Sequence, residues 1–388
     1  MQNIILGAIL AFVITFYAIP VIIQVSNMKK LFDLPGDRKI HLDPVPSLGG
    51  LGIFAGFVVA LLLMTDLHHP VAADTFQFYL SAFLLVFFFG IKDDILVLTP
   101  FKKILGQFSV AAILIFKANL VITSFHGFLG IETLDPMVSY AFSFCTIIVV
   151  INAFNLIDGV DGLAGSLGIV TATFFSFFAW MSGDEYYALF GFTFAAALAA
   201  FLIYNYSPAR IFMGDTGAML IGVVNAILVI QFINTAEHSR ILPVLASPAM
   251  GVGVLLIPLF DTLRVFFIRI VHGRSPFSPD RLHIHHILLD KGLSHMSITL
   301  WLSLANIAVI ILSFLLLPLG TTKVIALQAF LFYGALAALR YNKNKTKGLQ
   351  VIKGGSGEDG TDLSEETLPG GEIRPKVRKF RSFTQFWF

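Results

Sequence analysis

Eleven apolar runs limit what this chain can fold into. They lie at about 3–25, 48–65, 76–91, 104–121, 136–152, 164–182, 186–203, 216–234, 246–266, 297–317 and 321–340. A helix needs roughly 20 mostly apolar residues to cross the hydrocarbon core of a bilayer. The second, third and fourth runs are short for that task. No alternating pattern points to a transmembrane barrel. The expected fold is therefore all-α, a polytopic membrane protein of about eleven helices. The run at 3–25 lacks a basic start and a clear small-residue cleavage site, so it reads as the first span rather than a removable leader. Composition agrees: 56% of the 388 residues are hydrophobic and 13% charged, where a soluble domain is about a quarter charged. Mean hydropathy is +0.83.

Charge orients the spans. With the 26–46 loop placed inside and the sides alternating, only Lys117, Arg240 and Lys323 of the 26 Lys and Arg residues fall outside. Cytoplasmic loops are enriched in such residues, so the N-terminus is expected outside and the C-terminus in the cytoplasm. A net charge of +2 offers no broad basic surface, and no nucleic-acid partner is expected. The single Cys145 can form no internal disulfide. The segment 342–388 is Gly- and acid-rich, then basic and aromatic. It cannot build a core and is expected to be a disordered tail beside a membrane domain at 1–341.

The dense polar clusters all fall on the expected cytoplasmic side. They are DRKIHLDPVPSLGG, KDDILVLTPFKK, NAFNLIDGVDGLAG, NYSPARIFMGDTG and HGRSPFSPDRLHIHHILLDKG. Asp93 and Asp94 end an apolar run side by side. They read either as a helix end meeting water beside Lys92 or as a cation site, since adjacent carboxylates are tolerated best when a cation neutralises them. Asn152, Asn155, Asp158 and Asp161 recur every third residue, a spacing that shares one face of a helix. The competing reading is turn chemistry at the two Asp-Gly pairs. Asp215, between glycines just before an apolar run, suits a helix N-cap and a nearby phosphate. On a helix His283 and His286 would share a face and His285 would point elsewhere. Arg264, Arg269, Arg274 and Arg281 surround them with donors for phosphate oxygens. Acids that can hold Mg²⁺ beside bases that can hold phosphate suit phosphoryl-type transfer. No GxxxxGK[ST] loop is present. An ion-coupled transporter would keep its acids near the midplane rather than at helix ends.

RKIHLDPVPSLGG, GIKDDI, NAFNLIDGVDGLAG, YNYSPARIFMGDTGAMLIG, PLFDTLRV and PDRLHIHHILL, in this order over roughly residues 3–340, resemble the polyprenyl-phosphate N-acetylhexosamine-1-phosphate transferases. The resemblance implies a reaction that moves a sugar-1-phosphate from a UDP-N-acetylhexosamine to undecaprenyl phosphate, releasing UMP. It also implies Mg²⁺ or Mn²⁺ as cofactor and a bacterial inner-membrane location with the site open to the cytoplasm. Carried over by motif, Asp215 is the metal-binding Asp, with Asp94 beside it. Asp93 and Asp94 form the aspartate pair, one role proposed in the family being that Asp93 helps deprotonate or position the lipid phosphate. Asn152, Asn155, Asp158, Asp161 and Asn205 belong with the nucleotide and metal-phosphate network. His283, His285 and His286 belong near the donor phosphates and sugar. His41, Lys102, Lys103, Arg264 and Arg281 are basic positions for phosphate. RKIH and HIHH resemble the WecA/TagO branch, which favours UDP-N-acetylglucosamine. The MraY branch, which takes a MurNAc-pentapeptide donor, carries other motifs and is the alternative. A homodimer is among the assemblies allowed.

Overall fold

A computed structural model describes residues 1–31, 45–68, 70–96, 98–239, 241, 243–278 and 280–353, excepting the side chains of Pro70 and of residues 342–353. His41 lies outside the described residues, as do residues 354–388 of the expected tail. The chain divides into two units, Met1–Leu339 and Arg340–Phe388. Of the second, the described residues 340–353 are helical.

Each apolar run is helical. The helices are α1 (Gln2–Lys29), α2 (Gly49–Met64), α3 (Pro70–Leu96), α4 (Pro100–Phe116), α5 (Pro136–Ile157), α6 (Leu163–Met181), α7 (Glu185–Asn205) and α8 (Gly214–Thr235). They continue with α9 (Ser247–Val254), α10 (Leu256–Val271), the short α11 (Ile284–Leu289), α12 (His295–Leu316) and α13 (Thr321–Lys353). Eight of them, α1, α3, α5, α6, α7, α8, α12 and α13, are long and apolar enough to cross a membrane. The outward faces of α1 and α12 expose Ile5, Ile9, Tyr17, Leu300, Trp301 and Leu315, as lipid-facing helices do. Starts are marked locally. Asp135 accepts from Met137 N–H at 2.9 Å, Asp184 from Tyr187 N–H at 3.2 Å and Ser294 from Ser297 N–H at 3.2 Å, each meeting an otherwise unpaired first-turn donor.

The structure corrects the sequence reading in two places. The run at 246–266 is two helices broken at Leu255, not one continuous helix. Asn306 of α12 splints the break: its amide donates to Val254 O at 2.9 Å and accepts from Ile257 N–H at 3.4 Å. A freed backbone group in an apolar setting needs such a partner. The fold is also not wholly helical, because β1 (Ser124–Phe128) and β2 (Ile131–Thr133) form an antiparallel hairpin. Its His126 pairs with Glu237 beyond α8 at 2.8 Å.

Helix α8 is apolar all round and almost wholly buried, packed on by α2, α3, α5 and α6. A helix of that kind belongs at the centre of a bundle. Two glycines let its N-terminus sit deep. A Cβ on Gly50 of α2 would fall on the Gly217 nitrogen, and one on Gly90 of α3 would fall on Thr216 Cα.

Candidate active site

The first turn of α8 gathers the acids. The helix starts at Gly214 with Met213 as its cap residue, and no Met213 side-chain bond closes it. Asp94, from the end of α3, does so instead. Its Oδ1 accepts from Asp215 N–H at 2.6 Å, and its Oδ2 accepts from Thr216 N–H at 3.2 Å and Thr216 Oγ1 at 2.6 Å. A carboxylate there meets both the unpaired first-turn donors and the positive end of the helix dipole. Asp215 is thereby freed from the capping role its sequence position suggested. Its side chain turns to Lys103 Nζ, 2.8 Å from Oδ1, and accepts on the same oxygen from Asn155 Nδ2.

Lys103 Nζ bridges two helices' acids, lying 2.8 Å from Asp93 Oδ2 as well as from Asp215. Asp93 is buried and also accepts from Leu98 N–H at 2.7 Å, which folds the α3–α4 connection back on itself. Lys92, the partner expected from adjacency, is exposed, as is Lys102. Beside the Asp93–Lys103 pair Val86, Phe89, Val110 and Met219 line a gap of only about 10 Å³, room for a single water.

The three-residue stripe of Asn152, Asn155, Asp158 and Asp161 does not survive as one face, because α5 ends at Ile157. Asn152 is buried against Gln107 of α4, donating to Gln107 Oε1 at 2.7 Å and to Ile148 O at 2.8 Å. It locks α4 to α5 and does not reach the acids. Asn155 is the stripe member that meets Asp215. Asp158 follows the helix and has no hydrogen-bond partner among the described residues. Burial pushes its carboxyl up to about 8, and repulsion from Asp215, Asp94 and Asp161 adds to that. Asp161 turns the other way, to His295 of α12, Nδ1 lying 3.2 Å from Oδ1. Asn205 is likewise buried and structural. It accepts from Gly162 N–H at 2.9 Å and donates to Ile211 O at 2.8 Å. Gly162 takes φ +78°, which a side chain would resist, so the turn reading of the second Asp-Gly pair is correct there.

The histidine loop is built on α10. Asp261 Oδ2 accepts from His283 Nδ1 at 2.9 Å, and Asp261 Oδ1 accepts from Arg264 Nη2 at 2.7 Å and Ile284 N–H at 3.1 Å. Arg264 also donates to Leu282 O at 2.5 Å. Buried Arg269 holds Asp280 Oδ2 at 2.7 Å and donates to Pro276 O, closing the 272–283 segment. Arg281 is exposed. His283 precedes α11, so it does not share a helical face with His286. Its ring instead lies parallel to His285, with centroids 5.8 Å apart, and His285 is 4.3 Å from His286. Five buried nitrogens here have no partner among the described residues: His283 Nε2, His285 Nδ1, His286 Nδ1, and Arg264 Nε and Nη1. The loop reaches the acids through Gly159, where a Cβ would collide with His285 Nε2.

Burial pushes His285 down to about 3, with repulsion from His286 and His283 adding to it. Burial and the nearby Arg281 cation also lower His286. Unfolded histidine binds its proton near pH 6.5. Stability held through these neutral rings is therefore complete above that value and is lost as pH falls toward 3. The thermal midpoint should decline between about pH 7 and pH 5, and decline less in His285→Gln, as read by scanning fluorimetry across pH.

Whether these groups fit a divalent cation follows from their chemistry. Among the described residues, no three His, Cys, Asp or Glu side chains gather closely enough to hold a metal alone. Asp158 is unpartnered and lies in the field of Asp215. Mg²⁺ commonly takes only one or two protein carboxylates and completes its shell with substrate phosphates and water. Asp215 and Asp158 fit that pattern. Asp94, with both oxygens turned to the α8 backbone, fits it poorly.

The model of glycosyl transferase family 4 matches residues 76–233. The chain is 31% identical over 319 residues to the decaprenyl-phosphate N-acetylglucosaminephosphotransferase of Mycobacterium tuberculosis, covering 77% of this chain and 79% of that protein. The chain belongs to glycosyl transferase family 4. Two further members are named undecaprenyl-phosphate alpha-N-acetylglucosaminyl 1-phosphate transferase. That of Escherichia coli O157:H7 is 28% identical over 86% of this chain and 92% of its own length. That of Yersinia pestis is 30% identical over 78% and 83%. The family match spans α3 to α8 and so holds Asp93, Asp94, Lys103, Asn155, Asp158 and Asp215, while the histidine loop lies beyond it. As a family member the chain is a transferase in a multi-pass membrane fold. His295 and Gln107 were not singled out from sequence, since neither belongs to a dense polar run. The glycines at 50 and 90, which seat α8, carry no charge to mark them.

Proposed function

We propose that this chain transfers N-acetylglucosamine-1-phosphate from UDP-N-acetylglucosamine to undecaprenyl phosphate, releasing UMP and starting a cell-envelope polysaccharide. One observation carries the reading. The acids around the start of α8, with Lys103, adjoin through Gly159 a loop that holds five buried nitrogens without partners among the described residues. Such a place has groups for a cation and groups for phosphate oxygens side by side. The relatives' printed names support the sugar and a polyprenyl-phosphate acceptor. The charge bias of the loops supports eleven spans with this end in the cytoplasm of a bacterial inner membrane.

In this reading the lipid phosphate oxygen attacks the β-phosphorus of the donor. A new P–O bond forms, the bond from that phosphorus to the UMP oxygen breaks, and UMP departs with the electron pair. A phosphate oxygen is already a nucleophile, so positioning and charge do most of the work. Lys103, held by Asp93 and Asp215, would supply the positive charge that meets the acceptor phosphate. Asp261 fixes His283 through Nδ1 and leaves Nε2 for the donor, as a second partner orients a ring. Asp215 and Asp158 would hold Mg²⁺ or Mn²⁺, which when bound neutralises phosphate charge. Purified protein given Mg²⁺, undecaprenyl phosphate and UDP-N-acetylglucosamine should release UMP, measured by a coupled nucleotide assay. No UMP from any UDP-N-acetylhexosamine would sink the reading.

A further inference from the structure

The turn between α5 and α6 is gripped from outside at its acid-bearing centre. His295 Nδ1 lies 3.3 Å from Asp161 N–H and 3.2 Å from Asp161 Oδ1. One turn further along α12, Thr299 Oγ1 donates to Asp161 O at 2.8 Å. With Nδ1 accepting from Asp161 N–H, both ends of one residue's backbone are thus met by a single helix face, since positions four apart on a helix lie together. Asn205 takes the next N–H, that of Gly162, at 2.9 Å. Asp161 and Thr299 are buried, and His295 is partly buried. Three residues before this grip stands Asp158, which among the described residues has no hydrogen bond of its own to fix it, in a turn outside any helix.

From this geometry we infer that His295, with Thr299, is a positioning residue: it sets Asp158 against the α8 acids by clamping Asp161 to α12. The inference rests on the transfer reaction proposed above. It assigns Asp161 to the clamp rather than to the chemistry. It also ties the site to α12, the helix that directly follows the histidine loop, so the two halves of the site share one support. An unpartnered carboxyl in a turn keeps its place only through the backbone that carries it. Misplacing a reacting group by about 1 Å can cost around 100-fold in rate.

The side-chain amide of asparagine can put an acceptor or a donor where His Nδ1 stands, whereas glutamine reaches past that position. UMP release is therefore to be compared in full-length wild type, His295→Asn, His295→Gln and Thr299→Val, with rates normalised to folded protein from thermal unfolding. His295→Gln should lower kcat about 10- to 100-fold, and His295→Asn should restore it to within about threefold of wild type. Thr299→Val, which removes one hydroxyl at constant shape, should lower kcat in the same direction. The inference is overturned if Gln and Asn behave alike, whether both active or both inactive, or if Thr299→Val leaves kcat unchanged. A wild type that releases no UMP defeats the transferase reading itself, a result these variant ratios cannot imitate.

Discussion

Asp215→Asn should lower UMP release by about 1000-fold while the protein still folds, with a slightly lower thermal midpoint. Asp215 receives Lys103 and Asn155 on one oxygen and stands at the first turn of the buried central helix. Asparagine keeps the shape and can still accept from Asn155, so packing is preserved. What is lost is the charge that holds Lys103 toward the acceptor and offers a ligand to a cation. Removing one preorganised charge-stabilising group commonly costs 100- to 1000-fold, about 2.7–4 kcal/mol, and the loss of a cation ligand adds to it. Stability should fall slightly as well. Asp93, Asp94 and Asp158 feel Asp215 as a like charge, but Lys103 and Asn155 meet that charge directly, so removing it loses more attraction than it relieves repulsion. The measurements are UMP release at saturating Mg²⁺ and the thermal midpoint. Activity within tenfold of wild type would remove Asp215 from the centre of the site.

Much of the fold could be read in the sequence because a bilayer leaves a chain few choices. Every backbone group must be paired within its own segment, so a long apolar run means a helix. The break at Leu255 escaped because the donor and acceptor that repair it come from Asn306, some fifty residues away. The site was legible where charge met apolar sequence. Asp93, Asp94, Asp158, Asp215 and the histidines were all marked that way, and the structure brings them to one place. The assignments within the cluster were harder. Periodicity predicts a shared face only while the helix lasts, and α5 stops at Ile157, between Asn155 and Asp158. Asn152 and Asn205 look like the polar residues around them yet serve to lock helices. A sequence shows that an amide is present but not that Gln107 or Ile211 is waiting for it.

The aspartate pair separates under substitution. Asp94 meets three donors at the start of α8, and Asp93 meets Lys103 and Leu98 N–H. In Asp94→Asn one oxygen remains to accept, but the amide nitrogen points its hydrogens at a backbone N–H that needs an acceptor. A helix cap is worth about 1–2 kcal/mol, and an unmet buried donor costs about 1–3 kcal/mol more. Because Asp215 is the residue whose N–H is capped, the displaced turn carries that carboxylate with it, and kcat should fall about 10- to 100-fold. The Mg²⁺ concentration giving half-maximal activity should stay near the wild-type value, since Asp94 acts on the helix and not on the cation. Asp94→Ala, with no acceptor at all, should fall further in both rate and thermal midpoint. A cation ligand would behave differently: Asp94→Asn would then need about tenfold or more additional Mg²⁺, and excess cation would recover its rate. Titrating Mg²⁺ against UMP release in the two Asp94 variants separates a carboxylate that holds the helix from one that holds the metal.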